Sequence, residues 1–274
     1  MSANGQSATS LFKKKGEVAP PRRKLKVPYI FIFLCLLPWL SGLILFTAYP
    51  MVSSFYQSFT KFNIINPPEF IGLDNYRRMF FEDDDFMKAL KNTIWISVIS
   101  IPLRICFAIF TAWLLTRPKH GSKIYRTLFF IPSMVPAVAA TIVFTFVFNP
   151  IYGPINRTLE GVGIDNPPYW FLDPNWSKWG LILLGLWGIG DTMIIFLAGL
   201  LDVPKSLYEA AELEGASTWQ TFRYITLPLL TPVIFFSGVT GVIGSFQYFT
   251  QAFVASGQVN DYSKAMYFYA THIY

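Results

Sequence analysis

Residues 27–60 read VPYIFIFLCLLPWLSGLILFTAYPMVSSFYQSFT and contain no Asp, Glu, Lys or Arg. A bilayer core about 30 Å thick is crossed by about 20 apolar residues in a helix. This run therefore predicts a membrane-spanning helix over about 29–52. A basic flank precedes it, Arg22-Arg23-Lys24 with Lys26. The apolar run is far longer than the roughly 7–15 residues of a signal-peptide core, so it reads as a retained anchor.

The same pattern recurs downstream. Thr127 to Asn156 and Tyr224 to Asn260 are free of charge, predicting helices near 125–148 and 228–249. Asn92 to Thr116 is interrupted only by Arg104, and Trp179 to Leu201 only by Asp191. The expected fold is all-α: a polytopic transmembrane bundle with five spans over 29–274, preceded by a basic, disordered cytoplasmic tail over 1–28. Composition agrees. Charged residues make up 14% of the 274, against roughly 25% in soluble proteins. Mean hydropathy is +0.41.

Several chemistries are excluded. Cys35 and Cys106 lie in apolar stretches, which argues against a disulfide framework or a thiolate zinc site. His120 and His272 are far apart, no His-Glu-x-x-His motif is present, and no metal or cofactor is expected. There is no Gly-x-x-x-x-Gly-Lys-Ser/Thr phosphate loop, so work driven by ATP would need another chain to bind the nucleotide.

Orientation follows from the lysines and arginines. With the N-terminus inside, segments 1–28, 117–126 and 202–226 hold 7, 4 and 2 of them. The outer segments 53–91, 150–178 and 250–274 hold 5, 2 and 1. The N-terminus is expected in the cytoplasm. The net charge of +6 then reads as an orientation signal rather than a nucleic-acid footprint. The basic tail fits contact with acidic lipid heads and simple solvation equally well. Outside, Asn66-Pro67-Pro68 breaks any helix, and 149–177 is rich in turn formers. Tyr169, Trp170 and Phe171 read as an interfacial aromatic belt.

Residues 202–228 are too organised for a linker. Ser206 with Glu209, and Ser217 with Gln220, have capping-box spacing. Gly215 between them suits a left-handed helix end, and Leu227-Pro228 suits the end of the second helix. Two short helices, about 206–214 and 217–225, are predicted on the cytoplasmic side. Amphipathic connectors lying on the membrane are one reading. Glu209, Glu212 and Glu214 favour the other, docking in a protein groove, because anionic lipids would repel them.

This segment resembles the cytoplasmic signature of importer-type ABC transporter permeases: Glu209-Ala210-Ala211, three residues, Gly215, nine residues, Ile225-Thr226-Leu227-Pro228. Every fixed position is filled. Residues 70–76 (FIGLDNY), 125–132 (YRTLFFIP), 149–153 (NPIYG) and 195–200 (IFLAGL) are similar to the carbohydrate-importing, maltose-type branch. The resemblance implies a second permease subunit, a cytoplasmic ATPase dimer, an extracytoplasmic solute-binding protein and a sugar substrate. It implies ATPase-coupling roles for Glu209, Ala210, Ala211, Glu214 and Gly215. By position, it places Trp187, Gly188, Asp191, Ser245, Phe246 and Gln247 on the substrate pathway. It also implies a sixth helix, for which Tyr267 to Tyr274 looks like the lead-in, so the chain is expected to be incomplete at its C-terminus. The same architecture importing glycerol phosphate or another polar solute is the alternative, and an ion-driven secondary transporter is the rival class.

Arg104 and Asp191 each fall near the middle of a span. A charge there costs about 2.5–3.5 kcal/mol on insertion scales, so it normally faces a cavity or a partner. Mutual pairing, a shared wet pathway and, for Arg104, snorkelling are the three readings. Gly188-Ile189-Gly190-Asp191 also matches Gly-x-Gly-Asp of intramembrane aspartyl proteases. Those need a second carboxylate, and no span supplies one. Gly185, Gly188 and Gly190 are expected instead at close helix contacts.

Overall fold

The computed structural model describes residues 29–63, 65–116, 122–257 and 264–274. The expected tail over 1–28 and His120 lie outside the described residues. Two compact units divide the chain, Met1–Asn75 and Tyr76–Tyr274.

The first unit carries α1, a continuous apolar helix over Tyr29–Gln57. Pro38 sits inside it, and a π turn covers Ile44–Ala48. A two-stranded antiparallel ladder follows, β1 (Thr60–Lys61) with β2 (Glu69–Phe70), Thr60 opposite Phe70. Asn75 Nδ2 donates to the carbonyls of Ser58 and Thr60 at 3.0 and 2.9 Å. Gly72 has φ +63°, a left-handed conformation that favours glycine. The 70–76 motif is thus a turn and an anchor.

Helix α2 (Asp74–Phe81) begins at the end of the first unit, and the second unit continues with α3 (Asp84–Thr116), the second continuous apolar helix. The acidic run 82–85 leads into α3, which begins at Asp84. Asp83 Oδ1 accepts the Phe86 N–H at 2.9 Å, and Asp84 and Asp85 occupy the first turn, where the helix dipole favours negative charge.

The other three expected spans are broken, where continuous helices were expected. Lys123–Met134 and Ala137–Val147 meet at 98°. Val135 is extended (ψ 128°), because the residue before a proline, here Pro136, avoids helical geometry. Ser177–Trp187 (α6) and Gly190–Asp202 (α7) meet at 51°, broken at Gly188-Ile189. Thr218–Leu229 and Thr231–Phe246 meet at 62°. Counting each bent pair as one crossing gives up to five spans. The intervening helices are α4 (Ala137–Val147) and α5 (Pro154–Gly161).

The glycines before Asp191 divide. A Cβ on Gly190 would lie 2.8 Å from the Phe129 carbonyl oxygen, so Gly190 marks a close approach. Gly185 and Gly188 would meet nothing within 4 Å and are not packing sites among the described residues.

Two apolar cores hold the unit together. One joins α3 to α7 through Ala108, Ala112, Met193, Phe196 and Leu197, with Leu230 beside them. The other gathers Ile96, Phe148, Leu181, Ile182 and Phe268. Trp170 and Phe171 belong to this second core, 8% and 6% exposed. They are therefore not an interfacial belt, and only Tyr169 is exposed. The cause is a specific partner for each ring. Trp170 stacks on Phe148 (centroids 4.7 Å apart) and donates Nε1–H to Asn156 Oδ1 at 2.7 Å. Phe171 fills the space beside Gly180. In the 149–153 motif, Asn149 Oδ1 accepts the N–H groups of Ile151 and Tyr152, closing the turn.

Residues 264–274 include a short helix, Tyr269–Ile273, and lie along the start of α3. Asn92 Nδ2 donates to the carbonyls of Lys264 and Tyr267, while its Oδ1 accepts from Lys178 Nζ at 2.7 Å. The Tyr269 N–H donates to Thr93 Oγ1 at 2.9 Å. Lys264 pairs with Asp85, which holds its ammonium above the usual lysine range.

Candidate substrate cavity and coupling loop

A polar cavity of about 470 Å³ opens among α3, α6–α7 and the helix Thr231–Phe246 (α10). Its size falls within the roughly 300–1,000 Å³ of small-molecule sites. Helix α3 contributes Ser100 and Arg104, spaced four apart and so on one face. Thr192 comes from the first turn of α7. Helix α10 contributes Thr240 and Ser245, the turn after it Gln247 and Tyr248, and the following helix, Thr250–Gly257, Gln251. Gly241 lets α10 approach α3: a Cβ there would stand 3.2 Å from the Ile101 side chain. Behind the wall, Ser97 Oγ donates to Ser245 Oγ at 2.5 Å, and Ser245 donates to the Val242 carbonyl at 2.8 Å.

Of the expected pathway residues, Ser245 and Gln247 line this cavity, and Arg104 joins them. Trp187, Gly188, Asp191 and Phe246 do not. Trp187 packs on Phe144 (centroids 5.4 Å) and Phe246 edge-on against Tyr269 (5.7 Å). Asp191 accepts from Ser133 Oγ at 3.3 Å, tying one broken span to another. Among the described residues no ion pair joins Arg104 to Asp191. Ser100, Thr192, Thr240, Tyr248 and Gln251 were not singled out from sequence.

The second feature is the organised loop. Helix α8 covers Lys205–Leu213 and α9 covers Thr218–Leu229. The capping box expected at Ser206 and Glu209 is absent. Pro204 is the N-cap, and Ser206 lies inside the helix. Proline has pre-set φ and no N–H to lose at a helix start, so the helix begins earlier. The second box forms: Gln220 N donates to Ser217 Oγ at 3.3 Å, and Ser217 N to Gln220 Oε1 at 2.7 Å.

Between the helices, Gly215 has φ +76°. Its N–H donates to the Glu212 carbonyl at 3.1 Å, and the Ala216 N–H to the Ala211 carbonyl at 2.9 Å. That pair of bonds is a Schellman C-cap. Glu209, Ala210 and Glu214 are exposed, whereas Ala211 is buried, so the two alanines of the signature face opposite ways. Tyr208 Oη and Thr226 Oγ1 are 3.1 Å apart, joining α8 to α9.

Helix α9 does not stop at Ile225. It continues through a π turn over Phe222–Thr226, with Leu227 helical (φ −64°, ψ −43°) directly before Pro228. The wider π turn takes up the register where proline has no N–H to donate.

Fold and site together describe a polytopic helical membrane protein with a cavity among its helices and an organised loop. Residues 104–260 match the family described as binding-protein-dependent transport system inner membrane component. The chain is 40% identical over 256 residues to the probable ABC transporter permease protein YesP of Bacillus subtilis (strain 168), covering 93% of this chain and 80% of that protein. It is 34% identical over 188 residues to the lactose transport system permease protein LacF of Rhizobium radiobacter, covering 68% and 62%. It is 33% identical over 239 residues to the arabinooligosaccharides transport system permease protein AraP of Bacillus subtilis (strain 168), covering 84% and 72%. Among solved structures, the bacterial alginate ABC transporter in complex with its alginate pentasaccharide-bound periplasmic protein superposes with TM-score 0.72 at 24% identity, over 88% of this chain and 80% of that one.

The chain belongs to the binding-protein-dependent transport system inner membrane component family. It is a membrane-embedded permease component of an ABC importer, a transport subunit rather than an enzyme.

Proposed function

We propose that this permease moves a sugar or oligosaccharide into the cytoplasm by alternating access. Its N-terminus and the α8–α9 pair face the cytoplasm. A second permease subunit completes the pathway, a solute-binding protein delivers substrate from outside, and an ATPase dimer beneath drives the cycle. Glu209, Ala210, Ala211, Glu214 and Gly215 transmit the ATPase motion. Ala211, buried against the rest of the chain, seats the helix. Glu209, Ala210 and Glu214 are left for the partner.

The observation that carries this reading is the loop itself. A Schellman cap, a capping box and the Tyr208–Thr226 contact make 205–229 a folded element, and the exposed Glu209, Ala210 and Glu214 on it support a docking role. Lactose and arabinooligosaccharide permeases among the relatives support the sugar class. So does a cavity whose mixed lining includes hydroxyl and amide groups, which pair with sugar hydroxyls as donor and acceptor.

The test is uptake and ATP hydrolysis by the importer purified from its native membrane and placed in proteoliposomes. Glu209→Ala and Gly215→Val are expected to lower uptake and uncouple it from hydrolysis while external capture of ligand stays intact. Unchanged uptake in both would contradict the docking role. Uptake insensitive to ATP depletion would point to an ion-driven carrier.

A further inference from the structure

The geometry points to an acidic saccharide, one carrying a uronate carboxylate, as the substrate class, with Arg104 as the group that selects it; this rests on the sugar-importer reading above. Among the described residues that line the cavity, Arg104 is the only charged side chain and none is Asp or Glu. Among the described residues no carboxylate lies within ion-pair distance of it, and Asp191 is held toward Ser133 instead.

A charge at this depth normally has a partner or water around it. A guanidinium is a donor only: it offers five N–H groups and accepts none. A neutral sugar can take those donors but leaves the charge uncompensated. A carboxylate supplies both the acceptors and the counter-charge, and its two oxygens match the guanidinium fork. The rest of the wall is mixed: Ile96, Ile101, Ile105, Leu181, Ile182 and Leu186 give it apolar faces, and polar side chains stand between them. Ser100, Thr192, Thr240, Gln247 and Gln251 are neutral and polar, able to bond ring hydroxyls without repelling an anion.

The closing experiment uses the assembled importer in nanodiscs, without the solute-binding protein, so that the permease makes the choice. The probes are di- to tetrasaccharides of glucuronate, galacturonate and mannuronate, their carboxyl-reduced neutral counterparts, and glycerol 3-phosphate. At least one uronate oligomer is expected to bind ten-fold or more tightly than its neutral counterpart. Arg104→Gln is expected to bring that ratio within two-fold, and Arg104→Lys to retain part of it. Equal binding of acidic and neutral forms, or an Arg104→Gln ratio unchanged from wild type, overturns the inference and leaves the sugar reading standing. Binding of glycerol 3-phosphate with no saccharide of either kind bound overturns both. If Arg104→Gln fails to assemble, the wild-type ratio and Arg104→Lys decide. A wild-type ratio near one would then mean that Arg104 serves a neighbouring subunit.

Discussion

Gly190 and Gly188 are two residues apart in one motif, and their surroundings give them opposite tolerances. A methyl group on Gly190 would press on backbone atoms of Phe129 and Phe130, both at 2.8 Å, which cannot rotate away. Gly190→Ala is expected to destabilise the purified complex by about 1–3 kcal/mol, the usual cost of overpacking. Gly188→Ala meets nothing within 4 Å and is expected to be near neutral. Melting curves of the two variants against wild type check this, and equal losses would contradict it. Gly215 is constrained differently. Space around it is open, and the cost lies in its φ of +76°. Gly215→Ala is expected to cost the loop roughly 1–2 kcal/mol, with Gly215→Asn recovering part because asparagine enters the left-handed region more readily. Limited proteolysis between α8 and α9 reports the order of that loop directly. The need for glycine at 215 was legible from its place after a short helix. The difference between 188 and 190 was not, because it depends on a distant part of the chain crossing there.

The two candidate capping boxes of the loop look alike in sequence and differ in structure. Ser217 and Gln220 exchange both bonds, while Ser206 is one residue inside a helix that Pro204 begins. Ser217→Ala is therefore expected to cost about 1 kcal/mol, the typical value of an N-cap. Ser206→Ala is expected to change stability little. The comparison is a paired thermal-shift measurement on the purified complex, and a larger loss at Ser206 would count against the observed helix start. The broken spans carry the same lesson. Pro136 and Pro232 mark two of the three bends in the sequence. The break at Gly188-Ile189 has no proline, and the length of an apolar run interrupted only by Asp191 read it as straight.

For the molecule as a whole, sidedness is the property that a labelling experiment reads. Leu213, 90% exposed at the end of α8, is a suitable reporter once Cys35 and Cys106, both free, are replaced by serine. Leu213→Cys is expected to resist a membrane-impermeant maleimide added outside intact cells. It is expected to react in inverted vesicles and to be shielded when the ATPase is bound. Labelling from outside would invert the proposed topology. The sequence by itself determined the all-helical membrane class, the five apolar runs and the coupling signature. Those are properties of composition and of residues within about ten positions of one another, where helix period, capping distance and bilayer thickness act directly. Only the tertiary structure decided that Trp170 and Phe171 are core, that Asp191 turns to Ser133, and that Arg104 shares a cavity with Thr240, Gln247 and Gln251. Those outcomes depend on the angles at which broken helices cross, and such angles are set by packing between segments up to about 150 residues apart.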